Sequence, residues 1–307
     1  MPLHNTVCSN VERKTISQNS ARTHCNLDTL GFASLRVNSF RENIKALEYA
    51  KLKRLSDSQG QYLDLGCGPA DFLAEELLPR LRPCKRVVAV DISAEMLEYA
   101  STHHQQPEVC YELLDIEHGD PKTILENYGH FDHIYAFLTL HFVSDMEKAY
   151  RNIYCLLKEG GDCLSVNFAR TGITDAWHQV YKMESWADLI PDPSEVLSRR
   201  FRFNEPVEHT VLEAEERSAA EGAGLEMVSF TTYPSEWTFP TATSWMEKYV
   251  RMFKLDFRVP DEKRPAFRDA LMSSLLERLV QTSRGAALTF NVTVAHSRKP
   301  EGRPNKD

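Results

Sequence analysis

The chain has 307 residues, with 42% hydrophobic and 26% charged side chains, the composition of an ordinary globular protein. No Gly/Ser-rich linker divides it, so we expect one α/β domain with insertions. The net charge of −8 and the absence of Lys/Arg clusters interleaved with aromatic residues argue against a nucleic-acid partner. The sequence also lacks an apolar run of about 18 residues, the minimum for a membrane span.

The polar N-terminus lacks the apolar stretch of a secretory signal, which favours a cytoplasmic location. Seven cysteines form an odd set without a C-x-x-C pair, so we expect reduced thiols and no metal site. The sequence leaves the oligomeric state open.

In chain order, we expect residues 1–37 to be loosely ordered, one domain over 38–298, and a polar tail at 299–307. A helix is predicted from Asn38, because Phe40, Ile44, Leu47, Leu52 and Leu55 form an apolar stripe at helical spacing. Short apolar runs then alternate with amphipathic stretches, a pattern typical of the β-α units that build a parallel sheet.

The individual elements follow from these patterns. Strands are predicted at 61–65, 86–91, 109–114, 131–138, 161–168, 224–232 and 286–296, and helices at 144–158, 208–222, 241–254 and 262–280. The helix at 144–158 begins with a capping box, Ser144 and Glu147, and ends before Gly160 and Gly161. The expected α/β fold is Rossmann-like: a seven-stranded, mostly parallel sheet with helices on both faces, core motifs at 60–168, and cap insertions at about 170–207 and 236–285.

A glycine-rich turn follows the first predicted strand, in the run Asp64-Leu-Gly66-Cys67-Gly68-Pro-Ala70. Glycines allow the backbone to approach a ligand closely, and the helix start behind them offers free N–H groups to an anionic group. Asp91 ends the second predicted strand, where a carboxylate can accept the ribose hydroxyls of a nucleoside. A dinucleotide site shares this logic, but Asp71 stands where its third glycine would be.

Asp64 before the turn and Asp115 after the third strand complete a series that resembles the motifs of class I S-adenosylmethionine methyltransferases. This resemblance implies that Asp64 and the glycines surround the methionine part of S-adenosylmethionine, that Asp91 holds its ribose, and that Asp115 meets its adenine. The residues expected to contact this cofactor are Asp64, Gly66, Cys67, Gly68, Asp91, Ile92, Met96, Asp115, Ile116 and Phe137. Taken singly, Asp64 could instead orient the turn, Asp115 could cap a helix, and Cys67 and Met96 could be packing residues.

His141 and Phe142 follow the fourth predicted strand. The carboxyl ends of strands in such sheets face the ligand crevice, so both are candidates for contact with a methyl acceptor. The alternative for His141 is a hydrogen-bonded structural role. Aromatic residues of the insertions could line an apolar acceptor pocket or simply pack there: Trp177, Trp186, Trp237, Phe239, Trp245 and Phe253.

Over most of residues 60–168 the chain looks like arthropod juvenile hormone acid O-methyltransferases. The resemblance rests on Asp64-Leu-Gly-Cys-Gly-Pro, Val90-Asp-Ile-Ser-x-x-Met-x-x-Tyr-Ala, Leu114-Asp-Ile, Phe131-Asp-His-Ile, Leu140-His and Asn152-Ile-Tyr-x-Leu-Leu-Lys-x-Gly-Gly-Asp. It implies methyl transfer from S-adenosylmethionine to the carboxylate of a small lipophilic acid, sesquiterpenoid or fatty, with His141 as the catalytic residue that orients or neutralises the acid. Such an acid is ionised at neutral pH and requires no general base.

Three positions depart from this family. Ala70 replaces a further glycine, Phe142 replaces a tryptophan, and the family's N-terminal glutamine has no equivalent, so that Asn38 is its candidate stand-in as a substrate contact. Two alternatives therefore stay open. One is a methyltransferase for another small acceptor such as a phenol, for which His141 would act as a base. The other is a non-catalytic protein that keeps the cofactor fold.

Overall fold

The computed structural model describes residues 27–50, 52, 58–196 and 208–302. A single mixed sheet forms the centre of this part of the chain, in the strand order β3-β2-β1-β4-β5-β8-β6, with the short β7 paired to β8. The strands are β1 Gln61–Leu65, β2 Arg86–Asp91, β3 Val109–Leu113, β4 Phe131–Phe137, β5 Leu157–Thr171, β6 Glu226–Phe239, β7 Val280–Thr282 and β8 Gly285–Arg298.

The first five strands are parallel, and β8 runs antiparallel between β5 and β6. The β2 strand is buried from Val87 to Val90 between β1 and β3, which explains why this part of its sequence is a continuous apolar run rather than an alternating one. The carboxyl ends of β1, β2, β4 and β5 consequently lie along the same edge of the sheet, where ligand sites of such folds form.

Helices cover both faces of this sheet. They are α1 Thr29–Ala33, α2 Arg36–Ala50, α3 Leu78–Leu81 preceded by a π-helical turn, α4 Ala94–His103, α5 Lys122–Tyr128, α6 Met146–Leu156, α7 Gly172–Tyr181, α8 Pro193–Val196, α9 His209–Gly222, α10 Ala242–Met252 and α11 Arg264–Leu276. Two apolar clusters result, one on each face. The larger cluster continues beyond the sheet into the cap formed by α7, α10 and α11, where Trp177, Trp245 and Phe267 are fully buried.

The predicted fold class is confirmed, but the described part of the sheet has eight strands rather than seven, because residues 280–282 form the short β7 beside β8. Several element boundaries are also corrected. The helix predicted at 144–158 is α6, which ends at Leu156, because Leu157 is already extended and pairs with Phe131. Its N-cap is Asp145, whose carboxylate accepts from Lys148 N, so the capping box predicted at Ser144 is wrong. The strand predicted at 224–232 continues as β6 through Pro234 to Phe239, which an edge strand tolerates because its outer N–H groups need no partner.

The segment 1–37, expected to be loosely ordered, contains structure in the part that can be described. Residues 27–37 hold α1 and the first turn of α2, and the Asp28 carboxylate caps α1 by accepting from Gly31 N. Residues 1–26 and Leu55 lie outside the described residues. The irregular insertion expected at 170–207 contains α7 and α8, and its remainder, residues 197–207, lies outside the described part.

The cysteines differ in part from the expectation of reduced thiols. Cys67, Cys84, Cys155 and Cys163 are free, whereas Cys110 is disulfide-bonded. Seven cysteines leave room for up to three pairs, so an odd count does not exclude a disulfide. Among the described residues, no helix is long and apolar enough to cross a membrane.

Candidate functional site

The glycine turn after β1 has a backbone that only small residues fit. Gly66, Gly68 and Ala70 all adopt positive φ, at 72°, 54° and 62°. The N–H groups of Gly66 and Cys67 donate to Val90 O, which ties the turn to the end of β2. A Cβ on Gly66 would lie 2.3 Å from Thr139 side-chain atoms, so glycine is required there by close approach as well as by φ.

Asp91 closes the turn from the neighbouring strand. Its carboxylate accepts from Gly68 N and from Ser93 N, each at 2.8 Å. Burial raises the pKa of Asp91, and these backbone hydrogen bonds oppose the rise. Each carboxylate oxygen retains a lone pair beyond these bonds, so the group can still accept hydroxyl donors from a ligand.

Asp64 lies beneath the turn as the fourth residue of β1. It is buried, and burial together with the negative charge of Asp91 raises its pKa to about 7. The same two acids and burial raise the pKa of the Cys67 thiol well above its ordinary value. The thiol is therefore not activated as a nucleophile. Two neighbouring carboxyl groups in a dry turn favour a cationic ligand.

The other residues expected around the cofactor occupy two different environments. Met96, Ile116 and Phe137 are buried, while Ile92 is exposed at 40%. Asp115 accepts from Glu117 N at 2.8 Å and His118 N at 3.0 Å, and its second oxygen lies 3.3 Å from His118 Nδ1. Asp115 therefore stabilises the turn after β3 rather than capping a helix, the structural alternative considered from the sequence, and its contact with adenine stays a prediction.

The N-terminal helix α1 covers the glycine turn. Its Phe32 ring would lie 3.5 Å from a Cβ on Gly68. Asp28 holds the start of α1 to the cap, because its backbone N–H donates to Met252 O and its carboxylate accepts from Arg251 Nε at 2.9 Å. A helix of five residues is too short to leave a periodic pattern in the sequence, which is why α1 was not predicted.

His141 lies in a single 3-10 turn, Leu140–Phe142, that follows β4. Its backbone N–H donates to Asn167 Oδ1 at 3.1 Å, so β5 fixes this turn in place. The His141 ring is buried and contacts Phe142 at 4.3 Å and Phe168 at 5.1 Å between centroids. Asn167 was missed from sequence, since nothing local marks a strand amide as the partner of a distant turn.

An apolar cavity of about 60 Å³ opens beside His141. It is lined by Phe32, Leu35, Ser39, Leu138, His141, Phe142, Phe168, Thr174, Trp237, Trp245, Met252, Phe253, Leu288 and Phe290. Asn38, the candidate stand-in for the family's glutamine, is not among these residues, and its neighbour Ser39 is. The geometry therefore does not support Asn38 as a cavity contact.

The aromatic residues of the insertions divide into two groups. Trp237, Trp245 and Phe253 line the cavity, as the pocket hypothesis expected. The remaining three pack elsewhere: Trp177 donates to Pro191 O, Trp186 contacts Phe267, and Phe239 stacks on Trp245. In the described ranges, no group of three His, Cys, Asp or Glu side chains could hold a metal ion.

The turn and the cavity share a wall. Phe32 covers Gly68 and lines the cavity, and Thr139, whose hydroxyl donates to Gly66 O at 3.3 Å, lies two residues before His141. The glycine cradle, the acid at the end of β2 and the buried Asp64 fit a nucleoside that carries a cationic side arm, as S-adenosylmethionine does. The observation behind this fit is that burial and the negative charge of Asp91 raise the pKa of Asp64 beside the positive-φ glycines. A cationic group bound there would offset that penalty on the ionised carboxylate.

The sheet order and this edge define a Rossmann-like class I methyltransferase fold. Residues 63–165 match the family model of the methyltransferase domain. The crystal structure of a Bacillus halodurans protein assigned as a methyltransferase superposes with a TM-score of 0.52 at 17% identity, over 85% of this chain and 99% of that one, which shows the fold alone.

The sequence resemblance is more specific. The chain is 36% identical over 169 residues to the juvenile hormone acid O-methyltransferase of Bombyx mori, covering 54% of this chain and 58% of that protein. It is 34% identical over 145 residues to the Drosophila melanogaster protein of the same name, covering 47% and 48%. The chain thus carries a methyltransferase domain similar to those enzymes, and it spans about half the length of these relatives.

Proposed function

We propose that this protein is an S-adenosylmethionine-dependent O-methyltransferase that methylates the carboxylate of a small lipophilic acid, sesquiterpenoid or fatty. The observation that carries the proposal is the shared wall between the glycine turn and the apolar cavity, formed by Phe32 and the Thr139–His141 segment. A donor in the turn and an acceptor in the cavity would then meet at His141. The similarity to the two juvenile hormone acid O-methyltransferases supports a carboxylate acceptor.

S-adenosylmethionine supplies the methyl group when it is bound. Gly66 and Gly68 leave room for its methionine arm, and the Asp64 and Asp91 carboxylates bind its cationic and hydroxyl groups. The chain's contribution to the rate is mainly orientation in a site that excludes water. His141 orients the acceptor and removes no proton, because a carboxylic acid with a pKa near ~4 is already ionised at neutral pH.

The cavity's lining favours an apolar acceptor over a polar one. Its wall is almost entirely aromatic and aliphatic, with Ser39, His141 and Thr174 as its polar side chains besides the indoles.

The test is incubation with radiolabelled S-adenosylmethionine and a panel of fatty and terpenoid acids, followed by extraction into organic solvent. We expect extractable label with the free acids and none with their preformed methyl esters, in which the accepting oxygen is blocked. Label on phenols but on no acid would assign a different acceptor. Binding of the cofactor without turnover on any panel member would support a non-catalytic protein.

A further inference from the structure

Two tryptophans of the cavity wall have buried indole N–H groups that lack a hydrogen-bond partner within the described residues. They are Trp237, 6% exposed, and Trp245, 1% exposed. Buried N–H donors in native proteins are nearly always paired, so an unpaired one calls for an explanation. Two of them on one cavity point to a function of that cavity.

These indoles come from separate elements of the cap. Trp237 lies on β6, and its ring meets Phe168 edge to face at 5.3 Å between centroids. Phe168 in turn contacts His141, the residue proposed to orient the acceptor, so the Phe168 ring lies between Trp237 and His141. Trp245 lies on α10 and stacks on Phe239 at 4.4 Å.

A third tryptophan shows how the same chain treats an indole away from the cavity. Trp177 is also fully buried, but its Nε1 donates to Pro191 O at 2.9 Å. The cap therefore pairs a buried indole N–H where no ligand space adjoins it. The difference between Trp177 and the pair Trp237 and Trp245 coincides with the position of the cavity.

The chemistry of these donors defines what they can bind. An indole N–H donates and cannot accept, whereas an ionised carboxylate accepts and cannot donate. A hydrogen bond to a charged acceptor is stronger than one to a neutral acceptor, and more so in an apolar cavity. The indole also tolerates an empty cavity better than a buried cation would, because it carries no charge to desolvate.

We propose that Trp237 and Trp245 are specificity-determining residues that select the acceptor by donating indole hydrogen bonds to its oxygen atoms, with Trp237 binding the carboxylate. This proposal rests on the proposed function, because it assigns the contacts of the same acceptor site. It explains how an apolar cavity can retain an anionic head group without a buried Lys or Arg among the residues that line it.

The direct test is side-chain NMR on protein labelled with 15N at its four tryptophans and saturated with S-adenosylhomocysteine. Dodecanoate is the probe. We expect its addition to move the indole N–H signals of Trp237 and Trp245 downfield, while those of Trp177 and Trp186 stay in place. Assignments come from the four Trp→Phe variants. Unmoved Trp237 and Trp245 signals at saturating dodecanoate would overturn the proposal.

Calorimetry measures the same contact as an affinity. Trp237→Phe keeps an aromatic ring and removes the N–H, so we expect dodecanoate to bind about 10- to 100-fold more weakly and 1-dodecanol about 2- to 10-fold more weakly. An equal loss for both ligands would mean that the ring only packs. Trp177→Phe is the matched control: it removes a paired N–H, so it lowers the thermal midpoint and leaves dodecanoate affinity within twofold.

The two proposals can fail separately. If no acid becomes labelled but dodecanoate still shifts the Trp237 signal, the indole contact is supported and the methyltransferase assignment is refuted. If acids are methylated and Trp237→Phe has unchanged KM and affinity for every acid, the methyltransferase assignment stands and the indole contact falls.

Discussion

The glycine turn and the apolar cavity are adjacent, yet they are built in opposite ways. The turn is made mainly of backbone: three alternate positions with positive φ, N–H groups that donate to Val90 O and Asp91, and two buried carboxyl groups on neighbouring strands. The cavity is made of side chains from segments as distant as Phe32 and Phe290, with few polar atoms. One region is suited to binding through fixed geometry and charge, and the other through apolar area.

This contrast has a mechanistic consequence. A site of backbone and carboxylates can hold one defined molecule, whereas a site of packed rings accepts a class of apolar molecules and needs separate groups to orient them. Substitutions in the turn should therefore alter cofactor affinity alone. Substitutions around His141 should alter the binding and turnover of the acceptor alone. The predictions below test whether the two regions can be separated in this way.

The largest effect is expected at Asp91. Asp91→Ala removes the carboxylate that accepts from Gly68 N and Ser93 N and that we assign to the ribose hydroxyls. We expect S-adenosylhomocysteine to bind more weakly by about 1.5–3 kcal/mol, the range for hydrogen bonds to charged groups, or roughly 10- to 150-fold. Calorimetry checks this. Binding of NAD should be undetectable in both proteins.

Asp269→Ala is the matched control, since Asp269 is exposed on α11 and away from the turn. It should bind the cofactor as the parent chain does. An Asp91→Ala protein with unchanged cofactor affinity and a collapsed thermal transition would show that Asp91 acts only by holding the turn.

The contrast between the regions also explains what the sequence could predict. The turn lies in a short run after one predicted strand, and Asp91 ends the next strand, so the strand pattern and the resemblance to class I methyltransferases were enough to single out Asp64, Gly66, Gly68 and Asp91 as candidates. The fold class followed from the alternation of strands and helices around them. The cavity joins residues far apart in the chain, so periodicity could suggest that aromatic residues line it but not which ones. Trp237 and Trp186 were both candidates for the cavity wall, yet Trp237 lines the cavity and Trp186 packs against Phe267.

The second effect is a pH dependence of cofactor binding that originates at Asp64. Its pKa of about 7 in the ligand-free protein lies above the ordinary 3.8, so the ionised form is penalised there. A cationic ligand favours the ionised form. Affinity for S-adenosylmethionine should therefore be full above about pH 7 and fall as the pH drops, approaching tenfold per pH unit. For the same reason, the ligand-free fold loses stability as the pH rises from about 4 to 7.

Calorimetry between pH 5.5 and 8.5 measures this slope. Two comparisons isolate its origin: 5′-deoxyadenosine, which has no cationic arm, should show no slope, and Asp64→Asn should abolish the slope for S-adenosylmethionine. A slope that persists in Asp64→Asn would place the titrating group elsewhere.

The third effect concerns the acceptor side. His141→Ala removes the ring that contacts Phe142 and Phe168 at the cavity wall. We expect kcat/KM for a fatty acid to fall by about 2- to 10-fold, as for loss of one neutral hydrogen bond, with cofactor affinity unchanged. Since no proton is removed from an ionised acid, the rate of the parent protein should be flat from about pH 7 to 9.

The pH-rate profile and the variant together decide the role of His141. A rate that rises through the ordinary histidine pKa near ~6.5 would indicate a general base and a phenol-like acceptor. Full activity of His141→Ala on every acid would show that His141 has no role at the acceptor site. Because His141 is buried, His141→Asn serves as a second variant whose circular dichroism checks that the fold is retained.

The smallest effect is expected at Ala70, where the chain departs from the glycine of the resembling family. Its φ of 62° costs about 1–2 kcal/mol for a residue with a Cβ. Ala70→Gly removes that strain, but it also loses a fully buried methyl group, worth about 0.8 kcal/mol, and gains about 0.5–1 kcal/mol of unfavourable backbone entropy. These terms nearly cancel, so the unfolding free energy should change by less than about 1 kcal/mol.

Gly68→Ala is the matched comparison, because it introduces the same strain at φ 54° with the new methyl about 3.5 Å from Phe32 and should destabilise by about 1–2 kcal/mol. Urea unfolding of both variants checks the pair, and a loss of more than 2 kcal/mol in Ala70→Gly would mean that the Ala70 methyl holds the turn together rather than merely fitting within it.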